Sequence, residues 1–143
     1  MALPTHVRLE FVTPERAIVH EDVDEVQLPG EDGYFGVLPG HAPLLAALQV
    51  GEMWYRKGGE THFSFVAGGF AEVLPDRVSL LAQVAEKADE IDIQRAEAAK
   101  RRAEERLAKP TSEFDFERAR IALMKALTRL QVSRHSSLKK TRG

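Results

Sequence analysis

The hydrophobic period of this chain changes once, near residue 88, and no single regular architecture accommodates both sides of the change. Before it, apolar and polar residues alternate, as in His6-Val7-Arg8-Leu9-Glu10-Phe11-Val12, the pattern of a half-buried strand. Pro14 ends that run. Further short strands are expected over residues 17–20, 23–28, 35–38, 44–48, 52–56, 61–67, 70–74 and 77–84. Turn chemistry separates them: Pro29-Gly30, Pro39-Gly40, Lys57-Gly58-Gly59, Gly68-Gly69 and Pro75-Asp76. Eight of the ten aromatic residues lie in this stretch, as packed sheet faces require. Many short strands at close spacing indicate an antiparallel sandwich or barrel.

After the change the spacing is helical. Ile93, Ala96, Ala99 (or Lys100), Ala103 and Leu107 form one stripe, and Phe116, Ala119, Leu123, Ala126 and Leu130 a second. Lys109-Pro110-Thr111-Ser112 breaks the pattern, since proline lacks a backbone donor and disfavours helix in the residue before it. The expectation is an antiparallel hairpin of two helices of similar length. Asp92 and Asp115 read as N-caps, their carboxylates accepting from free backbone N–H groups. Asp92-Ile93-Gln94-Arg95-Ala96 and Asp115-Phe116-Glu117-Arg118-Ala119 then share one helix-start chemistry. The seam expected between the helices is Ala96, Ala99 and Ala103 against Ala119, Ala122 and Ala126. At ~25 cal/mol per Å2 of apolar surface, alanines bury far less stabilisation than leucines. Such a hairpin forms readily but closes weakly, which suits either a switch or a plain rigid hairpin. The domains are therefore set at 1–87 and 88–143.

Composition narrows the function. With 43% hydrophobic and 29% charged residues, 143 residues favour a folded chain over a disordered one. No run approaches the roughly 18 apolar residues of a membrane span. The first ten residues lack the charged start and apolar core of a secretory signal. Without cysteine there is no disulfide, zinc-cysteine site or thiol catalysis. The net charge of -2 conceals an asymmetry: residues 1–87 carry 6 cations and 13 acids, whereas residues 116–143 carry 8 cations and one acid, Glu117. Two such surfaces suit different partners.

Chemistry-bearing motifs are absent. His6, His20, His41, His62 and His135 stand at no metal-ligand spacing. No Walker loop, nucleotide-fold fingerprint or nucleophile elbow occurs. Glu31-Asp32 beside Pro29-Gly30 reads as a solvated turn. The basic tail has no interleaved aromatics beyond Phe116, so a stacking platform for nucleic acid is not expected. Nothing supports an enzyme acting alone.

Two longer motifs carry a resemblance. Gly33-Tyr34-Phe35-Gly36-Val37-Leu38-Pro39-Gly40-His41-Ala42-Pro43-Leu44 closely resembles the signature of the epsilon subunits of F-type ATP synthases. So does Phe63-Ser64-Phe65-Val66-Ala67-Gly68-Gly69-Phe70-Ala71-Glu72-Val73, followed by a strand and an alanine-rich hairpin. The resemblance implies an N-terminal β-sandwich of about ten antiparallel strands and a C-terminal two-helix hairpin. It implies a non-catalytic central-stalk subunit that joins the gamma subunit to the ring of c subunits and restrains ATP hydrolysis through its C-terminal helices. It also implies a place at the cytoplasmic face of a bacterial inner membrane, or the stromal face if plastid-encoded, with no direct membrane insertion and no nucleic-acid partner. The alternatives are a stand-alone nucleotide-sensing hairpin protein and an adaptor for anionic partners.

Site residues follow from the same resemblance. Related sequences often carry an acid at the position of Tyr34, facing the c-ring loops; here Glu31 and Asp32 are expected to supply the charge. Pro39, Gly40 and His41 form a stiff docking loop. Arg118, Arg120, Arg129 and Arg134, with Lys125, Lys139, Lys140 and Arg142, make a cationic helix suited to acidic loops of the beta subunits in an inhibited state with alpha and beta. Ile91-Asp92-Ile93-Gln94-Arg95-Ala96 matches the family's nucleotide motif. No cofactor is required, but a regulatory ATP, with or without Mg2+, would involve Glu86, Asp92, Arg95, Ala96, Lys125 and Arg129. Lys125 stands where nucleotide-binding relatives carry arginine, so affinity is expected to be weaker.

Overall fold

The computed structural model describes residues 3–142, with side chains described through residue 136. The chain divides after Glu86 into two compact units. Among the described residues the first unit contains eight strands: β1 (Val7–Val12), β2 (Ala17–Val23), β3 (Glu25–Gly30), β4 (Gly33–Val37), β5 (Leu44–Ala47), β6 (Gly51–Lys57), β7 (Glu60–Leu74) and β8 (Arg77–Lys87). They run in the order β2-β1-β8-β7-β6-β3-β4, with β5 added beside β7. This is the expected β-sandwich, with eight strands where about ten were implied.

Part of that difference lies in β7. Residues 61–67 and 70–74, expected as two strands parted by a Gly68-Gly69 turn, form one strand of 15 residues. Its first half pairs with β6, from Lys57↔Glu60 to Gly51↔Val66. Its second half pairs with β5, from Ala47↔Phe70 to Leu44↔Val73. Gly68 and Gly69 have φ of 75° and 116°, a region that side-chain-bearing residues avoid. A Cβ on Gly69 would also collide with the Leu81 carbonyl oxygen. The glycine pair therefore bends a continuous strand from one partner to the next.

Two further expectations need correction. The pairing is not wholly antiparallel, because β1 runs parallel to β8, from Arg8↔Arg77 to Val12↔Leu81. Pro29-Gly30 is not the turn but the end of β3, pairing with Tyr34 and Gly33, so the turn falls on Glu31-Asp32. Pro29 fits there because its carbonyl accepts from the Gln49 N–H at 2.9 Å, a bond that needs no donor from proline.

The inward residues of these strands form one core. Val7, Leu9 and Phe11 alternate inward on β1, and Val26, Leu28, Met53, Val78 and Leu80 meet them, all fully buried. Each such side chain contributes about 1.5–3 kcal/mol relative to exposure. Every member of this core lies between Val7 and Ala85, within the first unit.

The second unit begins with a short 3-10 turn (Ala88–Glu90), followed by α1 (Ile93–Ala108) and α2 (Glu113–Arg142). α2 packs on α1 and reaches back to the 3-10 turn, so the hairpin is closed and antiparallel. The helices are not of similar length, with 16 residues in α1 and 30 in α2. Ala96, Ala103, Ala119 and Ala126 are buried as the seam expectation required. Ala122 is exposed instead, because the α2 seam steps seven residues, two turns, from Ala119 to Ala126.

The helix starts differ from one another. The Asp92 carboxylate accepts from the Arg95 N–H at 3.0 Å and caps α1 as expected. On α2 the cap is Ser112, whose hydroxyl accepts from the Asp115 N–H at 3.0 Å, while the Asp115 carboxylate accepts from the Thr111 N–H at 3.4 Å. Asp115 is thus the third helical residue, and it reaches back to the residue before the cap, one position beyond the partner a capping box would use. The two five-residue patterns occupy different helical positions.

Candidate functional site

Two groups of expected residues lie on the sandwich, and β4 holds them apart. Glu31 and Asp32 are exposed at the β3–β4 turn. The turn is fastened by the Glu31 N–H, which donates to the Ala47 carbonyl at 2.8 Å. Tyr34, on the first residues of β4, is half exposed. Pro39, Gly40 and His41 follow the other end of β4, about 17 Å away at ~3.3 Å per strand residue. That loop is tied to the β7–β8 turn through the Gly40 N–H, which donates to the Pro75 carbonyl at 2.7 Å. The His41 N–H closes a turn onto the Leu38 carbonyl at 3.1 Å. A stiff connection was expected here, and these bonds with two prolines supply the stiffness.

An apolar surface was missed. Leu45, Phe70 and Leu81, on the neighbouring strands β5, β7 and β8, are 71%, 57% and 58% exposed. Phe70 and Glu72 alternate outward while Ala71 and Val73 turn into the core. Large apolar groups exposed on adjacent strands of one sheet mark a candidate interaction surface. The available signal was Phe70, an aromatic residue at an outward position; Leu44-Leu45-Ala46-Ala47 on β5 is apolar throughout and conceals its face.

The polar cluster between β2 and β3 is structural. The Asp24 carboxylate accepts from the Gly58 N–H at 2.7 Å and lies 3.2 Å from His6 Nδ1 and 3.5 Å from Arg56. The Gly58 hydrogen bond leads in holding its pKa below the usual carboxylate value, helped by His6 and Arg56. Tyr55 stacks on His62 with ring centres 4.9 Å apart. Burial, with the nearby Glu21 carboxylate, pushes the Tyr55 hydroxyl up to about 12.

The hairpin carries the remaining candidates. Arg95 is exposed on the first turn of α1, beside buried Ala96. Lys125 and Arg129 are half-buried one turn apart on α2, flanking Ala126. Measured from the interhelical loop at ~1.5 Å per residue, Arg95 stands at the level between Lys125 and Arg129. The closed hairpin thus sets Arg95 and Ala96 within about one turn of both Lys125 and Arg129 along the helix axes. Asp92 sits just before them, with one carboxylate oxygen already used by its cap. Glu86 belongs to the first unit. A shallow hollow lies at the loop end, lined by Pro110, Thr111, Ser112, Glu113, Phe116 and Glu117.

The cationic helix is less uniform than its sequence. Arg120 donates to Glu117 through two nitrogens, at 3.2 and 3.1 Å. That pairing depresses the Glu117 pKa, the hydrogen bond from Arg120 being the leading cause. The Arg118 guanidinium lies 5.6 Å from the centre of the Phe114 ring. Arg134 is exposed. The side chains of Lys139, Lys140 and Arg142 fall outside the described residues. Among the described residues no cluster of three metal-ligating side chains occurs.

Comparison with known proteins matches both units. Residues 6–88 match the family described as ATP synthase, Delta/Epsilon chain, beta-sandwich domain, and residues 89–134 its long alpha-helix domain. The ATP synthase epsilon chain of Nitratidesulfovibrio vulgaris is 50% identical over 126 residues, covering 88% of this chain and 94% of that one. That of Syntrophobacter fumaroxidans is 50% identical over 127 residues, covering 89% and 95%. In fold, the chain is similar to one in the mitochondrial ATP synthase of Euglena gracilis. The TM-score is 0.81 at 23% identity, with 96% of this chain and 84% of that chain covered.

Proposed function

The chain belongs to the ATP synthase epsilon-chain family, non-catalytic subunits of the F-type enzyme, and from that premise we propose a division of labour between its two units. The sandwich docks to the gamma subunit and to the ring of c subunits. The hairpin restrains ATP hydrolysis when it opens and its cationic helix reaches acidic surfaces of the catalytic subunits. The exposed face of Leu45, Phe70 and Leu81 carries the docking reading, because a sandwich with its own complete core has no internal use for it. We assign that face to gamma and the Glu31–Asp32 turn to the ring. No helix of the described residues is long and apolar enough to cross a membrane, which supports a peripheral place on the complex. That place is the cytoplasmic face of a bacterial membrane, or the stromal face of a plastid one.

Regulation follows from the closed hairpin. ATP held between Arg95, Lys125 and Arg129 would bind the closed form alone and shift the population away from the inhibitory one. The test of the whole reading is reconstitution into complex lacking this subunit. Neutralising Arg118, Arg120, Arg129 and Arg134 together is expected to raise ATP hydrolysis severalfold while gamma and the ring still co-purify. Unchanged hydrolysis with normal assembly would refute the inhibitory role. A Leu45→Ser and Phe70→Ser variant that still bound gamma at full strength would refute the docking face.

A further inference from the structure

Gly51 opens β6 with an ordinary backbone conformation, since its φ is not among the positive values. Glycine weakens a strand, so its presence there calls for a reason of space. A Cβ at Gly51 would stand 2.5 Å from the Pro29 Cβ and 2.7 Å from the Tyr34 hydroxyl. The phenol of Tyr34 lies over this notch, and its oxygen accepts the backbone N–H of Glu52 at 3.1 Å. Pro29 and Tyr34 face each other across the β3–β4 ladder, two residues on either side of the Glu31–Asp32 turn. The turn is therefore pinned from both flanks: by Tyr34 on Glu52, and by backbone bonds from Glu31 to Ala47 and from Gln49 to Pro29.

We propose that Tyr34 is the positioning residue of the rotor contact: seated on the Gly51 notch, it holds the turn so that the Glu31 and Asp32 carboxylates meet a cationic surface of the ring. The proposal rests on the reading that this turn faces the ring. Its physical basis is preorganisation. Two exposed carboxylates on a floating turn lose conformational entropy when they bind, whereas a turn already fixed loses less. Tyr34 buries about half of its surface, and its hydroxyl bond and its place beside the notch give it a use beyond that packing.

The test compares full-length variants by backbone amide exchange and by binding to a purified rotor of gamma subunit and c ring. Tyr34→Phe keeps the ring and removes the acceptor. It is expected to speed exchange at the Glu52 amide about fivefold and to weaken ring binding by about the same factor. Melting temperature and binding to gamma alone should stay unchanged. Gly51→Ala, whose Cβ would displace Pro29 as well as the phenol, should reproduce both changes and also lower the melting temperature. Unaltered exchange in Tyr34→Phe would overturn the pin. Faster exchange with undiminished ring binding would overturn the positioning role. Glu31→Gln combined with Asp32→Asn separates the underlying reading. It should weaken ring binding at low salt without touching Glu52 exchange, and undiminished binding there would remove the ring from this turn and the proposal with it.

Discussion

Asp92 has two carboxylate oxygens, and the α1 cap uses one of them on the Arg95 amide. A nucleotide bound at this helix start, as proposed above, would rely on Arg95, Lys125 and Arg129 for its phosphates more than on the acid. Titration of the full chain with ATP, with and without Mg2+, is expected to give saturable binding. Arg95→Ala and Arg129→Ala should each weaken it about tenfold, the scale of a lost charge-assisted bond. Lys125→Arg should tighten it by restoring a planar fork. Asp92→Ala is the poorer probe, because losing a cap costs about 1 kcal/mol of helix stability by itself. Asp24 gives a prediction in pH. Its folded pKa lies below the ordinary value near 3.8, chiefly through the Gly58 hydrogen bond. Its contribution is then complete above that ordinary value and is lost as pH falls through the lower, folded one. Melting curves of Asp24→Asn should show a lower stability at neutral pH and a flatter loss below about pH 4 than the parent chain.

At the scale of elements the seam between α1 and α2 governs closure. Ala103 and Ala126 are 2% and 1% exposed, so neither position has room for a larger side chain. Ala103→Leu is expected to force the helices apart at a cost of about 1–3 kcal/mol. Helical content by circular dichroism should hold while a distance probe between residues 98 and 128 lengthens. Unchanged distance would mean that the seam repacks. The elements also differ in how much of them could be read from sequence. Period-two alternation located β1, turn chemistry set off β6 and β8, and helical spacing after Asp92 located α1. The glycine pair inside β7 was misread because the same residues serve a turn and a bend within a strand, and only the neighbouring strand distinguishes them. Ser112 and Asp115 are both good caps, and the choice between them depends on where the chain leaves Pro110. The outward apolar face stayed hidden because β5 has no polar residue to mark its sides. Arg95, Lys125 and Arg129 were marked by the family resemblance alone; a short loop and a constant rise then set their levels along the hairpin.

For the whole molecule, a core complete within Val7–Ala85 implies that the sandwich folds alone. A chain ending at Lys87 is expected to melt cooperatively and to bind gamma and the ring as the full chain does. A folded truncation that failed to bind gamma would place part of the docking surface beyond Lys87. The parallel pairing of β1 with β8 has a further consequence, for the order of events during synthesis. The first strand cannot complete its ladder until the last one has been made, so the sandwich closes late in its own translation. The residues from 88 onward then take a few seconds to about ten, at roughly 5–20 residues per second. On that clock the sandwich is finished while the two helices are still being added, and a newborn chain has its first unit folded before the second is complete.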